Sequence, residues 1–195
     1  ATDKRVFAMQ EVGIGFFPDV GSLYHLLKAP GFLGRYLALT GESINGADML
    51  EAGLADYFIN SIYFNDLIDK IKQSNKVSDA FLNLNDPLPK SVFWMENSAE
   101  ISEVFVQENI DGMLRSLTSS QSGFAKSAFQ ALSQKSPTSI ALTAEYLRRA
   151  KVWSFDQVIE MDYQLAQAFI ASSDMVEGIR AQVIDKDRAP RWSPQ

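Results

Sequence analysis

The chain opens with apolar residues broken by glycine and proline, Val6-Phe-Ala-Met-Gln-Glu-Val-Gly-Ile-Gly-Phe-Phe-Pro-Asp-Val-Gly21, which reads as a strand running into a loop. In the stretch that follows, Leu23, Leu26 and Leu27 share one helical face, and Ser22 is placed to cap it. Between Leu33 and Asn60 the pattern predicts a helix stopped at Gly41, a short helix closed at Gly53 and an extended exit. A short amphipathic helix is expected from Asp66 to Lys76, and Asn83-Leu-Asn-Asp-Pro-Leu-Pro89 has the turn chemistry of a loop, read as a hinge between residues 1–82 and 83–195. From Ser98 onward the spacing predicts helices near Ser98 to Gln107, Ile110 to Ser119, Gly123 to Gln134, Thr138 to Ala150, Phe155 to Ala171 and Asp174 to Ile184. Phe155, Val158, Ile159, Leu165, Phe169 and Ile170 mark the clearest apolar stripe. One strand-rich start before a long helical remainder is too little sheet for an independent α/β domain, so the pattern reads as part of something larger.

Composition narrows the chemistry. At 195 residues, 46% apolar and 22% charged, the chain has the make-up of a globular protein with a sizeable core. A net charge of -6 gives no basic footprint for nucleic acid, and no run of about 18 apolar residues suggests a membrane span. The absence of cysteine removes disulfides, thiolate metal sites and cysteine nucleophiles. With a single histidine, His25, and no cysteine, a zinc site is not expected, and His25 reads as a partly exposed structural residue beside its helix's apolar stripe. Met9, Met49, Met113 and Met161 read as core filler, and Arg148, Arg149 and Lys151 as a solvated helix end.

Glu11 is the most informative single residue, because a carboxylate in an apolar run is costly unless paired or functional. Asp19, after a proline and before a helix, would by itself be a turn former or a cap. Their surroundings change that reading. Phe7-Ala-Met-Gln-Glu11 followed by Ile14-Gly-Phe-Phe-Pro-Asp-Val-Gly21 resembles the crotonase (enoyl-CoA hydratase/isomerase) superfamily, specifically its 3-hydroxyisobutyryl-CoA hydrolase branch, where Phe-Pro-Asp-Val-Gly replaces a glycine-rich turn. Leu37-Ala-Leu-Thr-Gly41 with Ile44, Ala47-Asp48 and Gly53-Leu-Ala55 resembles the helix-turn element common to the superfamily. Ser136-Pro-Thr-Ser139 and Glu177-Gly-Ile-Arg-Ala181, running on to Ile184-Asp-Lys-Asp-Arg188, Pro190 and Trp192, are similar to the branch's C-terminal pattern. Gln10 stands where the family usually has proline and Gly13 where it has alanine, so a looser presentation of Glu11 is expected.

The resemblance implies an α/β crotonase fold of which this chain is the mostly helical C-terminal part, with the N-H donors of the oxyanion hole lying upstream of Ala1 and the chain inactive alone. It implies an acyl-CoA substrate, CoA being part of the substrate with no separate cofactor, and hydrolysis of a short β-hydroxyacyl thioester such as 3-hydroxyisobutyryl-CoA of valine breakdown. Glu11 and Asp19 are the implied catalytic carboxylates, facing one another across the loop, with Asp19 on the substrate hydroxyl. Glu11 is expected to titrate high through desolvation and to act as general base or as nucleophile. Gly15 and Phe17 are further candidates for substrate contact, and Lys186 and Arg188 for CoA phosphate, although a charged stretch at 185–188 is otherwise a solvated tail. Two other readings stand beside it: an enoyl-CoA hydratase or isomerase, which would need a second glutamate from upstream, and a catalytically silent subunit retained in a larger assembly. Self-association into a homo-oligomer is allowed, and a bacterial cytoplasm, a mitochondrial matrix or a peroxisome would each host the chemistry.

Overall fold

A computed structural model describes residues 1–74, 76–81 and 90–193. Two strands, β1 (Val6–Phe7) and β2 (Ile44–Asn45), pair antiparallel with Val6 opposite Asn45 and Phe7 opposite Ile44. The N-terminus is tied in by a parallel bridge between Thr2 and Ile59, where the predicted extended exit lies. Among the described residues, everything else of regular structure is helical. In chain order the helices are α1 (Ser22–Leu26), α2 (Leu33–Thr40), α3 (Gly46–Glu51), α4 (Phe64–Gln73), α5 (Val77–Phe81), α6 (Val92–Phe105), α7 (Ile110–Ser119), α8 (Gly123–Ser133), α9 (Pro137–Ala150), α10 (Phe155–Phe169) and α11 (Ser173–Ile179).

Helix α2 is the axis of the core: all eight of its residues are buried. Around it one apolar cluster runs from Met9 and Phe17 through Leu37 and Phe105 to Leu147 and Phe169, so residues from both ends of the chain share one interior. Gly34 allows the α1–α2 approach, since a Cβ there would stand 1.8 Å from the carbonyl oxygen of Leu26. The expected stops are present: Gly41 and Gly53 both adopt positive φ (65° and 67°), the first returning its N-H to the carbonyl of Leu37. Met9 and Met113 are buried as core filler, with Met49 and Met161 packed at its margin.

Four expectations need correction. The short strand expected to end near Met9 stops at Phe7, and Glu11–Ile14, expected as loop, is a 3-10 turn. Ser22 does not cap α1; Gly21 occupies that position in the left-handed region, and the Ser22 hydroxyl is buried without a partner among the described residues. Helix α6 begins at Val92, six residues before the predicted Ser98, because Phe93 stacks on Tyr36 of α2 with ring centroids 5.6 Å apart. The α10 stripe divides: Val158 and Phe169 are buried, whereas Ile170 is exposed and Phe155 and Ile159 reach across to Gly21. The predicted hinge at 83–89 and the 82/83 boundary lie outside the described residues.

Candidate active site

Glu11 opens the 3-10 turn that follows Met9. The turn closes on itself: Gly13 N-H donates to the Gln10 carbonyl (2.8 Å) and Phe16 N-H to the Glu11 carbonyl (3.0 Å), while Gly15 takes φ +73° and donates to the same Glu11 oxygen. The turn is thus held without a proline at position 10. Two outside elements clamp it. Ser136 N-H donates to the Val12 carbonyl at 3.2 Å, and α11 lies so close that a Cβ on Gly15 would meet the Asp174 carbonyl oxygen at 2.2 Å and one on Gly178 the Ile14 carbonyl carbon at 2.3 Å. Glycine is required at both positions by this backbone-to-backbone contact.

After the turn, Phe16 and Phe17 insert into the core. Phe17 has no exposed surface and meets Tyr146 and Phe169 edge-on, at 6.1 and 5.8 Å between ring centroids. Pro18 leads to Asp19, and the chain reverses through Val20 (φ 52°) and Gly21 (φ 75°) into α1. A β-branched residue in the left-handed region costs about 1–2 kcal/mol, so this bend persists only because surrounding contacts impose it. Two of these are visible: Ser22 N-H donates to the Asp19 carbonyl (3.0 Å), and Gly21 N-H donates to the carboxyl Oδ2 of Asp162 (2.7 Å), 141 residues away.

The electrostatics follow from burial. Glu11 is half-buried, one carboxyl oxygen, Oε2, is wholly shielded from solvent, and that atom has no hydrogen-bond partner among the described residues. Desolvation pushes the Glu11 pKa above the usual carboxylate value, and the nearby charge of Asp19 pushes it further. Asp19 is raised as well, again by burial. The loop therefore brings together two carboxyl groups that each resist ionisation and that interact. An unpartnered carboxylate of raised pKa is a competent base or nucleophile.

The remaining candidates are dispersed. Gly15 serves the contact with Asp174, and Phe17 is the buried anchor of the loop. Lys186 and Arg188 are exposed and both take positive φ (58° and 55°), in a tail that folds back so that Arg180 forms ion pairs with Asp185 and Asp187 (2.7 Å each) and with Glu177. Arg188 lines a cleft of about 680 Å³ together with Gln10, Gly13, Ile14, Lys135 and Trp192; Lys186 does not. Burial lowers the Lys135 amine below its ordinary value. His25 is exposed and sits edge-on to Tyr24 and Phe155.

Sequence reasoning missed the supports of the loop. Asp162 is buried, with Oδ1 2.6 Å from the Tyr146 hydroxyl and Oδ2 on Gly21. It occupies a position on the Val158, Leu165 and Phe169 face of α10, and an acidic residue inside an apolar stripe was the available signal. Asp174, also buried, accepts from the Ser136 hydroxyl (2.5 Å) and the Ser193 amide (2.8 Å), joining α9, α11 and the tail beside the Glu11 turn.

Comparison with known proteins settles the family. A family model described as enoyl-CoA hydratase/isomerase matches residues 1–195. The chain belongs to the enoyl-CoA hydratase/isomerase family. Its fold is the crotonase fold: it superposes on the crystal structure of a carnitinyl-CoA dehydratase from Mycobacterium thermoresistibile with a TM-score of 0.90 at 32% identity, over 98% of this chain and 55% of that one. The mitochondrial 3-hydroxyisobutyryl-CoA hydrolase of Gallus gallus is 37% identical over 204 residues, covering 100% of this chain and 53% of the relative. The small ribosomal subunit protein mS47 of Arabidopsis thaliana is 33% identical over 207 residues, covering 100% of this chain and 51% of that protein. The chain thus spans about half the length of these relatives.

Proposed function

We propose that the protein carrying this chain hydrolyses the thioester of a short β-hydroxyacyl-CoA, with 3-hydroxyisobutyryl-CoA as the substrate that best fits. The observation that carries this reading is the Glu11–Asp19 loop, in which a buried carboxyl oxygen without a partner sits within electrostatic reach of a second carboxyl. Hydrolysis needs water or a nucleophile brought to the acyl carbon and N-H donors at the developing oxyanion. Glu11 supplies the first, by activating water or by attacking the carbonyl carbon itself. Asp19 accepts a hydrogen bond from the substrate hydroxyl and orients the acyl group, while Lys186 and Arg188 are the cations assigned to the CoA phosphates. No metal or redox group enters this scheme. Related hydrolases with mitochondrial names support a mitochondrial setting.

The role given to Asp19 predicts a change in selectivity. Asp19→Asn should lower kcat/KM for 3-hydroxyisobutyryl-CoA more than for isobutyryl-CoA, by about 1–3 kcal/mol of transition-state energy, because a site built for a hydroxyl loses that contact only with the hydroxylated substrate. Equal losses on the two thioesters would remove Asp19 from hydroxyl recognition. A pH profile gives a second check. Since burial raises both carboxyls, activity that requires Glu11 ionised should set in above the ordinary carboxylate range as pH rises, and an acid limb at the unperturbed glutamate value would contradict it.

The likeness to protein mS47 favours a second reading, a family member kept for assembly without catalysis. It predicts no turnover of any acyl-CoA and an unchanged binding partner after Glu11→Gln.

A further inference from the structure

Helix α11 has a cap of its own, because the Ser172 hydroxyl accepts from the Met175 N-H at 3.2 Å. Asp174 lies in the first turn of that helix, where an acidic residue ordinarily faces solvent and complements the helix dipole. Here it is buried, and both carboxyl oxygens turn away to other elements. Oδ2 accepts from the Ser136 hydroxyl at 2.5 Å, and Oδ1 accepts from the Ser193 N-H at 2.8 Å. Ser136 has no exposed surface and is itself a junction. Its oxygen caps α9 by accepting from the Ser139 N-H (3.1 Å), and its N-H donates to the Val12 carbonyl inside the Glu11 turn (3.2 Å). The Asp174 carbonyl presses on the same turn at Gly15, where a Cβ would stand 2.2 Å from its oxygen. The turn is thus held from α9 and from α11, and one carboxylate joins the two.

From this geometry we propose that Asp174 is a positioning residue for Glu11, holding the turn through Ser136 and through its own carbonyl while it draws the tail onto the same turn through Ser193. Glu11 depends on such support. Its Oε2 is buried and has no hydrogen-bond partner among the described residues, so the backbone of the turn sets where that oxygen stands. The tail arm adds a second consequence. Ser193 N-H on Asp174 and the Trp192 indole N-H on the Gln134 carbonyl (3.1 Å) seat the tail along the cleft that Gln10, Gly13 and Ile14 also line. One buried carboxylate therefore ties the tail wall of that cleft to the wall that carries Glu11. Apart from Asp174, the charged groups around the turn are Asp19 on the loop and Lys135 between α8 and α9, whose Nζ would lie 3.7 Å from a Cβ on Gly13. Replacing Ser136 by alanine removes none of these charges, so it loosens the hold without altering the electrostatic partners of Glu11.

The effect on turnover rests on the hydrolase reading of Glu11, whereas the hold on the turn does not, and two measurements on the protein that carries this chain separate them. In the first, carbon-13 NMR follows the Glu11 carboxyl across a pH titration. Burial raises the Glu11 pKa in the parent, so Ser136→Ala, by letting water reach Oε2, should bring it down toward the ordinary glutamate value. In the second, kcat is measured on 3-hydroxyisobutyryl-CoA and normalised to the folded fraction from circular dichroism. Ser136→Ala and Asp174→Asn should each lower kcat by about 10- to 10²-fold, the former with a far smaller change in KM. The double variant should lose no more than the worse single one, because both substitutions break the same linkage. Ser173→Ala, which removes only the exposed hydroxyl contact between α11 and Ser193 (2.8 Å), should keep the parent titration and the parent kcat. A merely structural pair would lower the melting temperature of both variants and leave the Glu11 titration and kcat per folded molecule unmoved. That result, or losses of kcat that multiply in the double variant, would overturn the proposal. A parent without turnover whose Glu11 pKa still falls in Ser136→Ala would sink the hydrolase reading and leave this one standing.

Discussion

Replacing Glu11 by glutamine should lower kcat on every acyl-CoA substrate by about 10²- to 10⁴-fold, the range attributable to a positioned acid-base group. The substitution keeps the shape of the side chain and removes only its ability to take a proton or attack carbon. Stability should move the opposite way. A carboxyl whose folded pKa is raised contributes stability that is fully present below its unfolded pKa and is lost as pH rises through the folded value. Glu11 is such a group, so at neutral pH the parent protein carries the cost of an ionised, partly desolvated carboxylate with an unpartnered oxygen, and Glu11→Gln removes the charge. Thermal unfolding at pH 7 should show the variant at least as stable as the parent, with the difference shrinking at acid pH where the glutamate is neutral. A variant that loses both turnover and stability at pH 7 would instead make Glu11 a structural carboxylate.

The second large effect is expected at Gly15. An alanine there must adopt φ +73° and place its Cβ 2.2 Å from the Asp174 carbonyl oxygen, which is backbone and cannot rotate away. The left-handed conformation costs about 1–2 kcal/mol and the overlap about 1–3 more, so Gly15→Ala should destabilise the fold by roughly 3 kcal/mol or force α11 off the Glu11 turn. Gly53→Ala is the matched control: its φ is +67°, but nothing lies within 4 Å of the new Cβ, and only the conformational cost of about 1 kcal/mol should appear in chemical denaturation. Equal losses at the two positions would show that the contact with α11 contributes nothing to holding the turn.

Much of the fold was legible because punctuation and periodicity agreed. Gly41 and Gly53 ended helices where the pattern said, and the helices from Ile110 onward kept their predicted limits to within a residue or two, apart from the end of the last, where the α-helix stops at Ile179 and a π turn covers Arg180–Ile184. The errors arose where distant residues decided local structure. Met9, Val12, Phe16 and Phe17 are all buried, which is the apolar signature of a strand, yet the glycines at 13 and 15 and the clamp from Ser136 and α11 wind that segment into a turn. Ser22 had the chemistry of a cap, but the first amide of α1 donates to the Asp19 carbonyl, and the Gly21 amide before it is met by Asp162 from α10. The same division holds for the site. Glu11 and Asp19 could be singled out because they stand in a recognisable local string, whereas Asp162, Tyr146 and Asp174 act through contacts that no local string records.

The central claim is that this loop serves thioester hydrolysis, and the direct measurement is release of free CoA thiol from 3-hydroxyisobutyryl-CoA by the protein that carries this chain, followed in parallel with hydration of methacrylyl-CoA. The account predicts thiol release with the parent protein, its loss in Glu11→Gln, and little hydration. Hydration without thiol release would assign the loop to a hydratase, and the absence of both would contradict catalysis by Glu11 altogether.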